Sequence, residues 1–161
     1  DPPSRATVFT QWAVRGHDAA LRAVARPSFD PDAELVLEET PGSSAGIPSA
    51  GGRATYTATS PSTARVDVQT DTDSVVLIRN VHDVHWRATV DGRPARLLRA
   101  DYLMQAVKVP QGSHVIELRY EDPWIGRGMV ASAVVLGGLA VAALVRRRRP
   151  RPPGQQPSEA D

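Results

Sequence analysis

Two imidazoles and a carboxylate fall within four residues at His82-Asp83-Val84-His85, directly ahead of Trp86. Imidazole nitrogens and carboxylate oxygens are the groups that hold a zinc-type ion, which needs three or four protein ligands. No third ligand stands nearby, and on a strand side chains three apart point to opposite faces. The stretch therefore reads as a solvated loop, and no metal site is assigned. His114 falls on the inward side of an alternating segment and reads as a hydrogen-bonded core histidine. Trp86 has two readings, a core anchor or an exposed ring that stacks on a sugar. No Ser/His/Asp arrangement, phosphate-cradling glycine loop or carboxylate pair stands above chance. No catalytic residue is assigned, and nothing in the chain asks for a cofactor.

The elements that must position these side chains are mostly strands. Residues 11–26 are the exception: Val14, His17, Leu21 and Val24 recur near helical spacing and Pro27 closes the segment, which predicts a short helix. A turn and a strand over 34–39 follow, then a Gly/Pro/Ser-rich surface loop, "TPGSSAGIPSAGG". Beyond it the period is two. Ala54, Tyr56 and Ala58 share a face; Val66 and Val68 point in while Arg65, Asp67 and Gln69 point out. "SVVLIRN" is a continuous apolar run, suited to a central strand. Trp86, Ala88 and Val90 alternate into Asp91-Gly92, a strong hairpin turn because both central positions favour positive φ. Asp101 and Tyr102 open a further strand, with Asp101 placed to cap the turn before it. The last strand sets His114, Ile116, Leu118 and Tyr120 on one face. About eight short strands with regular turn signals predict a mainly β fold, an antiparallel β-sandwich with a short N-terminal helix.

Residues 128–145, "GMVASAVVLGGLAVAALV", carry no charge and no proline. As a helix they would reach ~27 Å, close to the ~30 Å hydrocarbon thickness. Trp124 suits the interfacial aromatic belt, and Arg146, Arg147, Arg148 and Arg149 stand where cations lock a span's cytoplasmic side. Residues 1–145 carry fourteen basic and sixteen acidic side chains, a net of −2. A mildly acidic body with a basic end is not the footprint of a nucleic-acid-binding domain. The organisation expected is an N-terminal helix and linker over 1–33 and a sandwich over 34–123. A transmembrane helix over 124–145 and a cytoplasmic, basic, disordered tail over 146–161 complete it. Residues 1–123 then lie outside a bacterial plasma membrane. The opening "DPPSRATVFT" has no Met start and no signal-peptide pattern. The expectation is a C-terminal piece of a longer membrane protein, with a removed signal peptide as the alternative.

The stretch from "VVLIRNVHDVHW" to "YEDPWIGRG" resembles the C-terminal end of the YfhO family of bacterial polytopic membrane proteins. The resemblance rests on the order of features: an apolar strand, Trp86 with an alternating strand into Asp91-Gly92, and "RADY" at 99–102. A Pro-x-Gly-x-His turn at 110–114 and a hydrophobic strand ending at Tyr120 before a last membrane helix complete it. "ALRAVARPSFDPDAELVLEE" is similar to the segment ahead of the sandwich. Relatives often carry a Tyr-Pro-Gly-like turn before the tryptophan, where this chain has His82 to His85. The family is similar to GT-C-type glycosyltransferases, which use polyprenyl-phosphate-linked sugars. The resemblance implies a parent that modifies cell-envelope glycan, with its catalytic part outside this chain. It implies as partners the lipid bilayer, the parent's other membrane helices and envelope glycan. Trp86, Asp91, Gly92, Tyr102, His114 and Tyr120 become candidate glycan-contact or family-motif residues. The alternative is a non-enzymatic, membrane-anchored adhesion or carbohydrate-binding sandwich.

Overall fold

The computed structural model describes residues 4–42, 52–122 and 132–139. The chain divides into two units, 1–121 and 122–161. The first contains β1 (Ala6–Phe9), β2 (Ala13–Val14), α1 (His17–Val24), β3 (Val36–Leu37), β4 (Gly52–Ser60) and β5 (Thr63–Thr70). It continues through β6 (Ser74–Val81), β7 (Trp86–Val90), β8 (Arg93–Ala95), β9 (Leu97–Ala100), β10 (Met104–Val109) and β11 (Gly112–Tyr120). One sheet runs β1-β6-β10-β9-β3-β2 and the other β4-β5-β11-β7-β8. Every pair is antiparallel except β2 with β3.

The two sheets enclose one core of Ala6, Val76, Ile78 and Val107 against Val66, Ala88, Ile116 and Leu118. A second core of Phe9, Leu35, Val75, Leu77, Leu98 and Ala106 lies on the other face of the six-stranded sheet, with Trp12 and Met104 packed against it. Consecutive strand residues point to opposite faces, so a strand between two cores must be apolar at every position. That is why Val75 to Ile78 are all apolar and buried, while buried Ser74 at the strand's start bonds Thr70 Oγ1 and the Thr72 carbonyl. β5 has one wet face and alternates, with Val66 and Val68 in and Arg65, Asp67 and Gln69 out, as its sequence predicts.

The N-terminal segment departs from expectation. The helix expected over 11–26 forms only over His17–Val24; ahead of it Ala13 and Arg15 donate their N–H groups to the Leu35 and Leu37 carbonyls at 2.9 Å. Those bonds commit 13–15 to a ladder, and α1 starts only after the extended Gly16. Its buried side chain is Ala20, while Leu21 stays 43% exposed. Segment 1–33, expected as helix and linker, also supplies β1, which pairs with β6 from Ala6↔Ile78 to Phe9↔Val75. Between β8 and β9 one continuous segment leaves the five-stranded sheet and joins the six-stranded one, turning at Arg96.

Of the expected membrane span, residues 132–139 are helical, with Val134, Val135, Leu136 and Leu139 all more than 60% exposed. No helix among the described residues is long and apolar enough to cross a membrane. Trp124, the rest of 124–145, Arg146 to Arg149 and most of the Gly/Pro/Ser-rich loop lie outside the described residues.

Candidate functional site

The six residues singled out from the sequence separate into three places. Trp86 and Tyr120 are cross-strand partners on β7 and β11, with rings edge to face at 5.4 Å. His114, Asp91 and Gly92 lie at the other end of the same strands, six residues or roughly 20 Å along β11. Tyr102 lies in the turn between β9 and β10 of the six-stranded sheet, its ring 4.6 Å from that of His17. His17 Nδ1 in turn lies 2.9 Å from Glu38 Oε1.

Geometry accounts for the second and third groups. Asp91 (φ 52°) and Gly92 (φ 75°) form the left-handed turn expected of them. Asp101 (φ 44°) and Tyr102 (φ 67°), expected to open a strand, are instead the turn between β9 and β10. Both aspartates serve one purpose. Asp91 N–H donates to the Val115 carbonyl at 2.9 Å while its carboxylate accepts the Val115 N–H at 2.9 Å. Asp101 does the same with Val36, at 2.7 and 2.9 Å. Each turn thereby clips a neighbouring strand one residue beyond the ladder. Burial lifts the Asp101 carboxyl above its ordinary value, opposed by the Val36 N–H. His114 is 15% exposed, with Nδ1 at 2.6 Å from Asp91 Oδ2 and Nε2 at 3.3 Å from the Gln111 carbonyl. The bond to Asp91 holds His114 above its ordinary value and Asp91 below its own.

Trp86 is different. It is half-buried against the inter-sheet core and also lines a cleft of about 520 Å³ where β7 and β8 face β9. Val84, Ala88, Pro94, Ala95 and Leu97 supply apolar wall; His82, Asp83, Arg87 and Thr89 supply the polar groups. His82 Nδ1 and Thr89 Oγ1 are buried without a hydrogen-bond partner, an arrangement that carries a desolvation cost. Burial, and then the Arg99 guanidinium, push the His82 imidazole below its ordinary value. A neutral imidazole donates from one nitrogen and accepts at the other. A cleft of this size with an aromatic ring, apolar walls and the polar side chains of Asp83 and Arg87 at its edge suits a small hydroxyl-bearing ligand. Sequence reasoning did not find His82 or Thr89 as a pair, because only the folding of β7 beside the 82–85 loop brings them together.

His85 turns away from His82 in function. Its N–H and Nδ1 both meet Asp83 Oδ1 at 2.8 Å, which fixes the loop and holds the Asp83 carboxyl below its ordinary value. Among the described residues no three His, Cys, Asp or Glu side chains form a metal-binding group. A larger groove of about 650 Å³ lies beside α1, lined by Trp12, Arg15, Arg22 and Arg26, with Arg26 paired to Glu34 at 2.9 Å. No family model, curated protein or solved structure matches this chain.

Proposed function

We propose that the sandwich is the extracytoplasmic, C-terminal domain of a YfhO-like bacterial membrane protein. In this reading 124–145 crosses the plasma membrane, and the tail with Arg146 to Arg149 is cytoplasmic. The parent is a glycosyltransferase that draws on a polyprenyl-phosphate-linked sugar, and its catalysis lies outside this chain. The sandwich holds the acceptor envelope glycan against the parent's membrane helices. One observation carries the reading: eight residues after β11 ends at Tyr120, an uncharged run of eighteen residues begins and four arginines close it. The exposed apolar side chains of 132–139 support it, since such a surface needs an apolar cover. Membranes containing the parent should transfer labelled sugar from the polyprenyl-phosphate donor. Membranes containing this chain alone should not, and turnover by the chain alone would overturn the assignment.

The Trp86 cleft favours a second reading, a membrane-anchored carbohydrate-binding module without an enzyme. Either way the cleft is where a glycan is held. His82→Ala should weaken binding of an envelope-glycan fragment by tenfold or more, the equivalent of about 1.4 kcal/mol, with near-ultraviolet circular dichroism unchanged. Unaltered affinity in a titration would remove the cleft from both readings.

A further inference from the structure

We infer that the end of the sandwich from which β11 departs is seated in the bilayer surface, with Val81, Val84 and Leu103 dipping into it. This deepens the membrane-anchor reading and rests on it. The three side chains are 68%, 69% and 54% exposed, more than Val14 (44%) and Leu21 (43%) beside α1. They form one rim. Met104, next to Leu103, pairs opposite Val81, and the His82 N–H donates to the Leu103 carbonyl at 2.7 Å.

Val84 is held outward by a braced turn. Asp83 Oδ1 accepts the His85 N–H at 2.8 Å, and the Trp86 N–H reaches the Asp83 carbonyl at 3.2 Å. Arg87 Nη1 donates to the Val84 carbonyl at 2.7 Å. A tip this well fixed has no local need for an apolar residue, and polar side chains are ordinary at such positions.

The chain's course names the occupant. The Glu121 N–H donates to the His85 carbonyl at 2.9 Å, so the chain leaves the domain alongside this rim. Gly128, the first residue of the uncharged run, follows Asp122 by six residues, a reach of at most about 20 Å. Behind the rim stands the half-buried Tyr120, a ring type enriched at headgroup depth, and beside it Trp86 and Val84 line the cleft, so that a glycan held there lies at the membrane surface. Arg5, over the Tyr56 ring, and Arg87 add cations suited to anionic headgroups. Near the rim Asp83 is engaged by His85, Asp101 accepts the Val36 N–H, and Glu121, followed by Asp122 on the exiting chain, lies 3.8 Å from Arg119. The opposite end carries Asp71, Asp73 and Asp91 in its turns and no exposed large apolar side chain among its described residues.

The chain has no cysteine, so single variants V84C and D71C can each carry one environment-sensitive fluorophore. The full chain is reconstituted into vesicles of phosphatidylcholine and phosphatidylglycerol, with and without doxyl-labelled acyl chains. The probe at 84 should emit at shorter wavelength and lose emission to doxyl lipid, while the probe at 71 does neither. V81S with L103S in the V84C background should abolish that loss. Should the chain resist carbonate extraction while both probes report water, the rim inference is overturned and the anchor reading stands. A probe at 84 that is shielded yet unquenched overturns it too, by assigning the rim to protein. Extraction of the chain by carbonate overturns both.

Discussion

His114 shows what a single side chain contributes here. With acceptors at both ring nitrogens, the protonated imidazole is the form the fold prefers. A pKa raised on folding gives stability that is fully present below the unfolded value of about 6.5 and is lost as pH rises through the folded value. Asp91, depressed by the same bond, contributes above its unfolded value and loses that contribution in acid. The thermal midpoint should therefore fall as pH rises above the ordinary histidine value of about 6.5, and His114→Gln should flatten that part of the profile. An unchanged slope in the variant would assign the pH dependence to another group. The inward position of His114 was legible from alternation alone. Its partner was not, since Asp91 is 23 residues away and only the β7–β11 register brings it close.

Among the elements, β6 was the most legible and its last residues the least. Five consecutive buried positions announce a strand between two layers. Past Ile78 the ladder slips: Gln105 pairs with Ile78 while Met104 pairs with Val81. The side chain of buried Gln105 then takes the Val81 carbonyl at 2.9 Å, filling a place the bulge vacates. Arg79 lies within the same slip and is 13% exposed. Its guanidinium reaches the Ser4 carbonyl, Thr7 Oγ1, the Pro31 carbonyl and Asp32 Oδ1. No periodicity flags such a hub, because its partners come from the segment before β1, β1 itself and the loop between α1 and β3. Arg79→Ala should cost about 2–3 kcal/mol in urea unfolding, and a loss within error would mean that water replaces those contacts. The first forty residues misled for a related reason. His17, Leu21 and Val24 of the expected stripe do lie in α1, but Val14 belongs to a strand whose partner lies some twenty residues on. The two aspartate turns also differ in legibility: Asp91-Gly92 announces left-handed geometry, whereas Asp101-Tyr102 adopts it with no glycine.

At the scale of the whole molecule, composition and order of segments carried more than any motif. The two-sheet, mainly β architecture follows from strand alternation and turn spacing. The Trp86 cleft does not, because it arises where one strand leaves its sheet at Arg96 to join the other. The proposed orientation rests on the run Arg146 to Arg149 at one end of the uncharged segment, since basic residues flanking a span mark its cytoplasmic side. Thiol accessibility reads that orientation directly, using D71C in the sandwich and S158C in the tail of the cysteine-free chain. In intact cells a membrane-impermeant maleimide should label position 71 and spare position 158 until the membrane is permeabilised. Labelling of 158 with protection of 71 would place the sandwich in the cytoplasm and contradict the account.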